Sequence, residues 1–282
     1  MKIFVTGISG QLGYDVMKAG LANGFEMFGA SSKELDITKE TDVENYVTKL
    51  KPDAIIHCAA YTAVDLAEDE TEQCYAVNVN GAKYLAQVAK KVNAKFAYIS
   101  TDYVFDGQGK AAFSEVDSTN PIGYYGTTKL LGEQIVQETL ENYFIVRISW
   151  VFGKNGNNFV KTMLKLSESR KELNVVGDQI GSPTYTVDLA KLLIEMVQTN
   201  KYGIYHASNE GFCSWAEFAT EIFKQARKDV TVNAITTSEY PTKAKRPENS
   251  RMRKDKLASE FHLLPPWQDA LNRYLKEINL NG

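Results

Sequence analysis

From residue 2 to about residue 150, short apolar segments alternate with longer amphipathic ones, and few folds accommodate this alternation. The apolar segments predict strands at 2–6, 25–30, 34–37, 53–58, 95–100 and 143–148, with a later strand at 203–207. Segments with a helical apolar repeat predict helices near 11–23, 40–50, 68–93, 125–141 and 185–199. Strands that are apolar on both faces and joined by helices are typical of a parallel sheet covered on both sides. We therefore predict an α/β protein with a Rossmann-type, doubly wound parallel sheet.

The alternation becomes looser after about residue 150, which predicts a second, smaller domain. Helices are predicted there at 214–228 and 266–279, among turns rich in Asn, Gly and Pro. We expect residues 1–150, with 185–207 returning to the sheet, to form the main domain. Residues 151–184 and 208–282 would form the smaller C-terminal domain. Ligands of open parallel sheets bind beyond the carboxyl ends of the strands, so a second domain placed there would close over a ligand.

The composition excludes several classes of protein. A hydrophobic content of 44% and a charged content of 24% are ordinary for a globular chain of 282 residues. A net charge of −3 argues against a nucleic-acid partner. No apolar run reaches the ~18 residues that a membrane span needs, and the chain enters its first strand without a signal-peptide pattern. Three cysteines without a Cys-x-x-Cys pair, and histidines without metal-binding spacing, predict a cytoplasmic protein with reduced thiols and no metal site.

The first predicted strand ends in a glycine-rich loop, Gly7-Ile8-Ser9-Gly10-Gln11-Leu12-Gly13, within which a helix begins. Gly7 permits a tight turn, Gly10 lets backbone amides approach a pyrophosphate, and Gly13 lets the helix pack close to the sheet. The N-terminus of a helix also favours the negative charge of a phosphate. Three glycines alone are weak evidence, but their place between an N-terminal strand and a helix is strong evidence. We predict a dinucleotide-binding loop that includes Gln11 and Leu12.

The second predicted strand is followed by Ser31, Ser32 and Lys33, where many dinucleotide-binding proteins carry a ribose-binding carboxylate. Two hydroxyls and a cation there favour NADPH, whose 2′-phosphate they would hold, and NADH stays possible. A solvated turn is the alternative interpretation of these three residues. The strand at 53–58 leads into Ala59, Ala60, Tyr61 and Thr62, and the small residues in this run would let the chain pass beside the cofactor.

Tyr125 and Lys129 are spaced one helical turn apart and therefore share a face of their helix. A cation near a phenol stabilises the phenolate and brings its pKa from about 10 toward the working pH. A phenol with such a pKa is a better general acid. Tyr14 and Lys18 have the same spacing, but they follow the glycine loop, where neither side chain would reach a nicotinamide. We interpret that second pair as a coincidence.

The G-x-x-G-x-x-G spacing of the loop, together with the Tyr125 and Lys129 pair, resembles the short-chain dehydrogenase/reductase superfamily. The resemblance implies that Tyr125 donates a proton and that Lys129 also bonds the ribose of the nicotinamide. At the position of Thr101 the superfamily carries a hydroxyl that bonds the substrate carbonyl. Asp36 and Ile37 match its adenine-contacting pair. Asn78 falls where the fold often keeps a structural asparagine, and it is either a backbone organiser or an ordinary helix residue.

Five further stretches resemble the dTDP-4-dehydrorhamnose reductase family over essentially the whole chain. They are STDYVFDG (100–107), RISWVFG (147–153), NFVKTML (158–164), DQIGSPTYTVDLA (178–190) and RPENSR (246–251). The resemblance implies reduction of the C4 ketone of dTDP-4-dehydro-L-rhamnose to dTDP-L-rhamnose by a hydride from NADPH. This reaction belongs to dTDP-rhamnose and polysaccharide biosynthesis.

The same resemblance assigns substrate contacts. Thr101 and Asp102 would meet the sugar, and Trp150 would lie over it. Pro183 and Thr184 would border the substrate. Arg246 would face the diphosphate, although the basic run that starts with it could equally be a solvated face. The cofactor would contact Gly10, Gln11, Leu12, Ala60, Tyr61, Thr62, Tyr125 and Lys129.

The sequence departs from the family pattern at two places, one of which bears on metal and assembly and the other on the lid. Tyr14 stands where some members carry an acidic residue of a Mg²⁺ site at a dimer interface, so we predict neither that metal nor that dimer, and expect a monomer or a homodimer. The usual Ser-Arg-Leu-Asp near the C-terminus reads Ser250-Arg251-Met252-Arg253, a local reversal of charge.

Two alternative functions stay open. A nucleotide-sugar dehydratase or epimerase would belong to the same superfamily, but a dehydratase needs a second carboxylate after Asp102, and Tyr103 stands there. A non-catalytic NADP-binding regulatory subunit is the other alternative. Thr101, Tyr125 and Lys129 together favour a catalyst over it.

Overall fold

The computed structural model describes residues 1–279. Within them, the strands are β1 (Lys2–Thr6), β2 (Glu26–Ala30), β3 (Ala54–His57), β4 (Lys95–Thr101), β5 (Tyr143–Ile148), β6 (Val151–Phe152), β7 (Glu172–Val176), β8 (Ile180–Gly181), β9 (Thr184–Tyr185), β10 (Gly203–His206), β11 (Asn209–Glu210), β12 (Cys213–Ser214), β13 (Thr231–Ile235) and β14 (Leu264–Pro266).

The helices of the same residues are α1 (Gln11–Ala22), α2 (Glu40–Leu50), α3 (Thr71–Tyr75), α4 (Gly81–Val92), α5 (Tyr124–Thr139), α6 (Phe159–Leu166), α7 (Thr186–Val197), α8 (Trp215–Gln225), α9 (Asp255–Glu260) and α10 (Trp267–Asn279). A turn of π-helix, Ala76–Asn80, joins α3 to α4. Single turns of 3₁₀ helix cover Leu66–Glu68, Asp102–Val104 and Thr237–Glu239.

Six of the strands form one parallel sheet in the order β10-β5-β4-β3-β1-β2. The chain moves outward from β1 to β2 and then continues on the other side of β1 with β3. The strand order therefore reverses between β1 and β3, and in open α/β sheets a ligand crevice forms at such a point, beyond the carboxyl ends of the strands. This arrangement confirms the predicted doubly wound α/β fold.

Helices cover both faces of the main sheet because its strands are apolar on both sides. Along β1, Ile3 and Val5 point to one face and Phe4 to the other, as alternation along a strand requires. The Ile3 face packs against α1 and α7, with Leu193 among its buried residues. The Phe4 face packs against α2, α4 and α5, and includes Leu85. Such two-sided burial supplies the largest part of the favourable free energy of folding.

The prediction of a strand at 34–37 is wrong. Leu35 and Ile37 are buried, as alternate residues of a strand would be, but this segment forms turns. The Asp36 carboxylate accepts hydrogen bonds from the backbone amide and the hydroxyl of Thr38, at 3.0 and 2.7 Å. A side chain that bonds the backbone two residues later stabilises a turn. The predicted long helix over 68–93 is also interrupted, by the π turn.

Residues beyond β5 contribute a third apolar cluster, distinct from the two that cover the main sheet. It includes Phe152, Leu173, Phe218, Trp267 and Tyr274. Around it, four two-stranded sheets pair β6 with β9, β7 with β13, β8 with β12 and β11 with β14 in the described residues. The sequence predicted only helices and turns in residues 151–184 and 208–282. The strands of two residues are too short to show a period, but β7 and β13, of five residues each, were missed as well. The predicted division into a cofactor domain and a substrate domain stays a prediction.

Candidate active site

A cavity of about 780 Å³ lies at the carboxyl ends of the main sheet strands, where the strand order reverses. It brings together residues that follow β1, β2, β3, β4 and β5. Of the predicted cofactor residues, the cavity is lined by Gly7, Gly10, Gln11, Leu12, Gly13, Ser31, Ser32, Asp36, Ile37, Ala59, Ala60, Tyr61, Thr62, Tyr125 and Lys129. Thr101, Asp102 and Trp150 also line it. Lys33, Pro183, Thr184 and Arg246 do not.

The glycine loop has the geometry that its sequence predicted. Gly7 has a φ of +71°, a conformation that side chains with a Cβ rarely adopt. A Cβ on Gly13 would lie 2.4 Å from the Gly7 carbonyl oxygen, so only glycine lets α1 approach the loop this closely. The helix carries no acidic residue in its first turn. Its N-terminus therefore faces the cavity with an uncompensated positive end, which fits a pyrophosphate.

Gln11 connects the glycine loop to the segment after β6. Its side-chain oxygen accepts hydrogen bonds from the Gly153 amide at 2.9 Å and from Asn158 Nδ2 at 3.0 Å. Asn155 donates to the Ser9 carbonyl at 2.7 Å. No local sequence pattern indicates these long-range contacts. These contacts hold the glycine loop and the start of α6 together on one side of the cavity.

At the predicted adenosine end, the structure adds a carboxylate that sequence analysis missed. The backbone amide of Ser31 donates to Glu34 Oε2 at 2.7 Å. This bond holds the pKa of the Glu34 carboxyl below its usual value, so it is ionised near neutral pH. Lys33 is exposed and lies outside the cavity lining. Ser31 and Ser32 line the cavity, and the Ser31 side chain also contributes to the lowered pKa of Glu34.

Asn78 organises the backbone opposite the glycine loop. It is buried in the π turn, where its side chain accepts from the Tyr61 amide at 2.9 Å and donates to the Tyr61 carbonyl at 3.2 Å. Its Nδ2 also lies 3.1 Å from the hydroxyl of Thr128, next to Lys129. These contacts favour the backbone-organiser interpretation of Asn78. They couple the run from Ala59 to Thr62 to the helix that carries the candidate catalytic pair.

Tyr125 lies in the first turn of α5, and its ring borders the cavity. The ring of Tyr103 meets it edge to face, with centroids 5.5 Å apart. Burial of the phenol, and then the nearby Asp102 carboxylate, raise the pKa of Tyr125 above its usual value. The expected lowering of this pKa by Lys129 is not seen in this structure, because Lys129 is not among the groups that shift it and burial raises it. The phenol is therefore protonated near neutral pH.

Lys129 is buried one turn after Tyr125, and its Nζ lies 4.1 Å from the ring centroid of Tyr98. Burial lowers the pKa of the ammonium group to about 7, while the Glu133 carboxylate opposes that shift. Glu133 is itself buried, and it accepts two hydrogen bonds from Arg147, from Nε at 3.0 Å and from Nη2 at 2.7 Å. The Ser100 hydroxyl also donates to Glu133. Sequence analysis missed this buried pair.

The third predicted catalytic residue, Thr101, ends β4 beside Asp102. The Thr101 hydroxyl accepts from the Tyr103 amide at 3.2 Å and donates to Asp102 Oδ1 at 3.0 Å. Asp102 is buried, and its Oδ2 has no hydrogen-bond partner in the part of the chain that the structure describes. Burial raises the pKa of this carboxyl to about 6. A buried acceptor without a partner, at the cavity wall, fits a ligand that brings a hydroxyl group.

Pro183 and Thr184, which the resemblance places beside the substrate, do not line this cavity. Thr184 is fully buried; its hydroxyl donates to the Ser149 carbonyl at 2.6 Å and its amide to the Trp150 carbonyl at 3.1 Å. The Pro183 carbonyl accepts from the Asn209 amide at 3.3 Å. Thr184 therefore supports the backbone of Ser149 and Trp150, and Pro183 is held by Asn209.

Arg246 lines a second cavity, of about 790 Å³, on the opposite side of Tyr103. Tyr103 and Arg246 connect the two spaces: Arg246 Nη1 lies 3.4 Å from the Tyr103 hydroxyl. Arg246 Nη2 donates to Asp65 at 2.5 Å. Arg246 is thus neither a fully solvated surface charge nor a part of the first cavity.

Tyr14 and Lys18 also lie where the sequence predicted, on α1 and away from the cavity lining. Over residues 1–279, no three His, Cys, Asp or Glu side chains meet as metal ligands would. None of the helices in that range is long and apolar enough to cross a bilayer.

Comparisons with known proteins agree with this geometry. A family model described as the RmlD substrate binding domain matches residues 1–280. The dTDP-4-dehydrorhamnose reductase of Aggregatibacter actinomycetemcomitans is 43% identical in an alignment of 284 positions that covers 96% of this chain and 97% of that protein.

Two solved structures are also similar over nearly their full lengths. A dTDP-4-dehydrorhamnose reductase from Clostridium acetobutylicum superposes with a TM-score of 0.97 at 41% identity, covering 99% of this chain and 100% of that one. The dTDP-4-dehydrorhamnose reductase of Bacillus anthracis, in complex with NADP, has a TM-score of 0.95 at 43% identity, covering 98% and 99%. Identity at this level over the full length shows the family: the chain belongs to the dTDP-4-dehydrorhamnose reductase family of the extended short-chain dehydrogenase/reductases.

Proposed function

We propose that this protein reduces the C4 ketone of dTDP-4-dehydro-L-rhamnose to dTDP-L-rhamnose, with NADPH as the hydride donor, in dTDP-rhamnose biosynthesis. The observation that carries the proposal is the convergence of Thr101, Tyr125 and Lys129 on one cavity that the glycine loop also lines. Similarity to relatives that bear this activity in their names, one of them with bound NADP, supports it.

The cofactor would lie along the carboxyl edge of the sheet. Its pyrophosphate would meet the amides of the glycine loop and the N-terminus of α1. Its adenosine would reach Ser31, Ser32, Asp36 and Ile37, and its nicotinamide would face Tyr125. When bound, NADPH supplies the hydride. Lys129, whose buried ammonium has Tyr98 on one side, would donate to the ribose hydroxyls of the nicotinamide.

Tyr125 would supply the proton that completes the reduction. Its raised pKa keeps the phenol protonated near neutral pH, so a proton is available where negative charge develops on the C4 oxygen. Thr101 would donate a hydrogen bond to the same oxygen in place of its bond to Asp102. Stabilising developing negative charge inside a desolvated site lowers the barrier more than it would in water.

The sugar would occupy the space between Asp102 and Trp150, and the nucleotide would extend past Tyr103 into the second cavity. The unpartnered oxygen of Asp102 would accept a sugar hydroxyl. Arg246 would face the diphosphate. Its guanidinium would then interact with both the diphosphate and the Asp65 carboxylate, to which it already donates. This division assigns the cofactor to residues 1–150 and 185–207, and most of the nucleotide to residues 151–184 and 208–282.

The reaction type predicts how cofactor use relates to product. A reductase consumes one NADPH for each sugar, whereas a dehydratase or epimerase returns the hydride to the same sugar. We expect stoichiometric loss of nicotinamide absorbance with dTDP-4-dehydro-L-rhamnose generated in situ, with dTDP-L-rhamnose identified by chromatography. With dTDP-glucose the enzyme should release no water. Conversion of dTDP-glucose to a 4-keto-6-deoxy sugar without net NADPH loss would overturn the assignment.

Two observations argue against the alternatives. A dehydratase needs a base after Asp102, but burial raises the pKa of the Tyr103 phenol at that position to about 12, so it stays protonated. A non-catalytic regulatory subunit would not require Thr101, Tyr125 and Lys129 to lie in one cavity. Such a subunit would bind NADPH without oxidising it in the assay above.

The choice of cofactor gives a second prediction. NADPH should be used at least as efficiently as NADH, since the hydroxyls of Ser31 and Ser32 line the cavity. Ser31→Asp should shift the ratio of kcat/KM values toward NADH by about 10-fold or more, because two like charges ~4 Å apart near a surface repel by about 4 kcal/mol. Ser31→Asn is the control, because the Asn side chain has the shape of Asp without its charge. A clear preference for NADH in the unmodified enzyme would contradict this assignment.

We also propose a cytoplasmic location. Cys58, Cys74 and Cys213 are free thiols, and two of them are buried. Free thiols are typical of a reducing compartment.

A further inference from the structure

The backbone of Trp150 has an unusual conformation that its neighbours hold in place. Its φ is +49°, the left-handed region, which a residue with a bulky side chain rarely adopts. Such a conformation costs about 1–3 kcal/mol and persists only where the surroundings enforce it. Here the Thr184 amide donates to the Trp150 carbonyl at 3.1 Å, and the Ser149 hydroxyl donates to the Ser182 carbonyl at 2.7 Å. In this backbone conformation the indole ring lines the first cavity.

The ring of Trp150 is confined by two neighbours from other parts of the chain. It stacks on the ring of Trp215, with centroids 3.7 Å apart and planes inclined by 14°. Gly181 lies against it: a Cβ there would be 2.8 Å from Trp150 Cε2 and 2.9 Å from Cζ2. The ring could not give way without losing its stack on Trp215. Gly181 is therefore required for space rather than for an unusual φ.

Pairing of short strands places Gly181 and Trp215 together. Gly181 of β8 is in register with Cys213 of β12, and Trp215 begins α8 directly after β12. The Ser214 hydroxyl accepts from the Glu217 amide at 3.0 Å, while the Ser214 amide donates to the Glu217 carboxylate at 2.7 Å. This reciprocal cap fixes the first residue of the helix. The position of Trp215 is thus set by α8 and by the β8–β12 pair.

Trp150 lines the first cavity, Trp215 lines the second, and Tyr103 lines both. We propose that Trp215 and Gly181 are positioning residues, which fix the Trp150 indole between the sugar and the nucleotide halves of the substrate. The proposal rests on the proposed function. A misplacement of about 1 Å in a positioning group can cost up to about 10²-fold in rate. Gly181 lines neither cavity and therefore acts on the substrate through Trp150, while Trp215 supports the Trp150 ring from the side of the second cavity. Neither residue lines the first cavity, so cofactor binding should be unchanged.

The experiment measures Gly181→Ala, Trp215→Leu and Trp150→Ala, singly and as the Trp150→Ala/Gly181→Ala double variant. Gly181→Ala and Trp215→Leu should each lower kcat/KM for the nucleotide sugar by about 10-fold or more, with the Kd for NADPH unchanged. In the double variant, Gly181→Ala should have no further effect, because the ring that its Cβ would displace is already gone. Full additivity of the two losses would overturn the proposal.

Circular dichroism supplies a readout that does not depend on activity. The electronic transitions of two stacked indole rings couple, which gives a pair of circular dichroism bands. Gly181→Ala and Trp215→Leu should both abolish this pair of bands. Trp267→Leu removes a buried indole from the same apolar cluster, away from both cavities, and should keep these bands. If the unmodified protein does not oxidise NADPH with the sugar, the proposed function fails while the spectra still test the stack. Retention of the paired bands in Gly181→Ala would refute the role of Gly181, and their retention in Trp215→Leu would refute the stack.

Discussion

Replacing Tyr125 with Phe should lower turnover by about 10²-fold or more while NADPH binds almost normally. The change removes only the phenolic oxygen and its proton, and the ring that packs against Tyr103 stays. Because the structure keeps this phenol protonated near neutral pH, its loss removes the proton donor rather than a weakly populated form. Steady-state kinetics with the 4-keto sugar and fluorescence titration with NADPH separate the two effects.

The matched control is Tyr14→Phe. Tyr14 has the same spacing from Lys18 as Tyr125 has from Lys129, and Lys18 Nζ lies 5.5 Å from the Tyr14 ring centroid. That pair lies on α1 and lines neither cavity. Its variant should therefore keep nearly full turnover. Equal losses from both substitutions would mean that Tyr125 is not the proton donor.

Replacing Glu133 with Ala should lower the free energy of unfolding by about 3–5 kcal/mol, since it leaves a buried guanidinium without its counter-charge. The side chains of Arg147 and Glu133 are only 4% and 1% exposed, so water cannot replace the lost carboxylate. One nitrogen, Arg147 Nη1, already has no hydrogen-bond partner among residues 1–279. Urea unfolding followed by circular dichroism measures the change.

The control for this prediction is the surface pair of Lys91 and Glu44, whose side chains are 57% and 49% exposed. Glu44→Ala should cost less than about 1 kcal/mol, because solvent screens the pair. Replacing both members of the buried pair, as Glu133→Leu with Arg147→Met, should recover much of the lost stability. If Glu133→Ala costs no more than Glu44→Ala, the buried pair is not a significant source of stability.

Local sequence pattern was sufficient for the main sheet, the glycine loop and the candidate catalytic pair. Strand and helix periods repeat over a few residues, so β1 to β5 and α1 could be predicted from neighbouring positions alone. Gly7 and Gly13 were predictable because a left-handed turn and a close helix approach admit no side chain. The spacing of Tyr125 and Lys129 is likewise a property of one helix.

Local pattern was misleading where a turn imitates a strand. Leu35 and Ile37 alternate with polar residues and are buried, yet the Asp36 side chain bonds the Thr38 backbone and the chain turns. The strands of two residues after β5 were not predicted at all, since a period of two cannot be recognised over so short a length. The five-residue strands β7 and β13 were missed as well.

The tertiary structure alone decided which distant residues meet and how their charges behave. Glu133 meets Arg147 across 14 positions, Gln11 accepts from Asn158 across 147, and Trp150 stacks on a ring 65 positions further along the chain. The sequence determined that a phenol and an ammonium lie one turn apart on α5. Burial decided their proton affinities, because desolvation depends on everything packed around a group and has no signature in the order of residues.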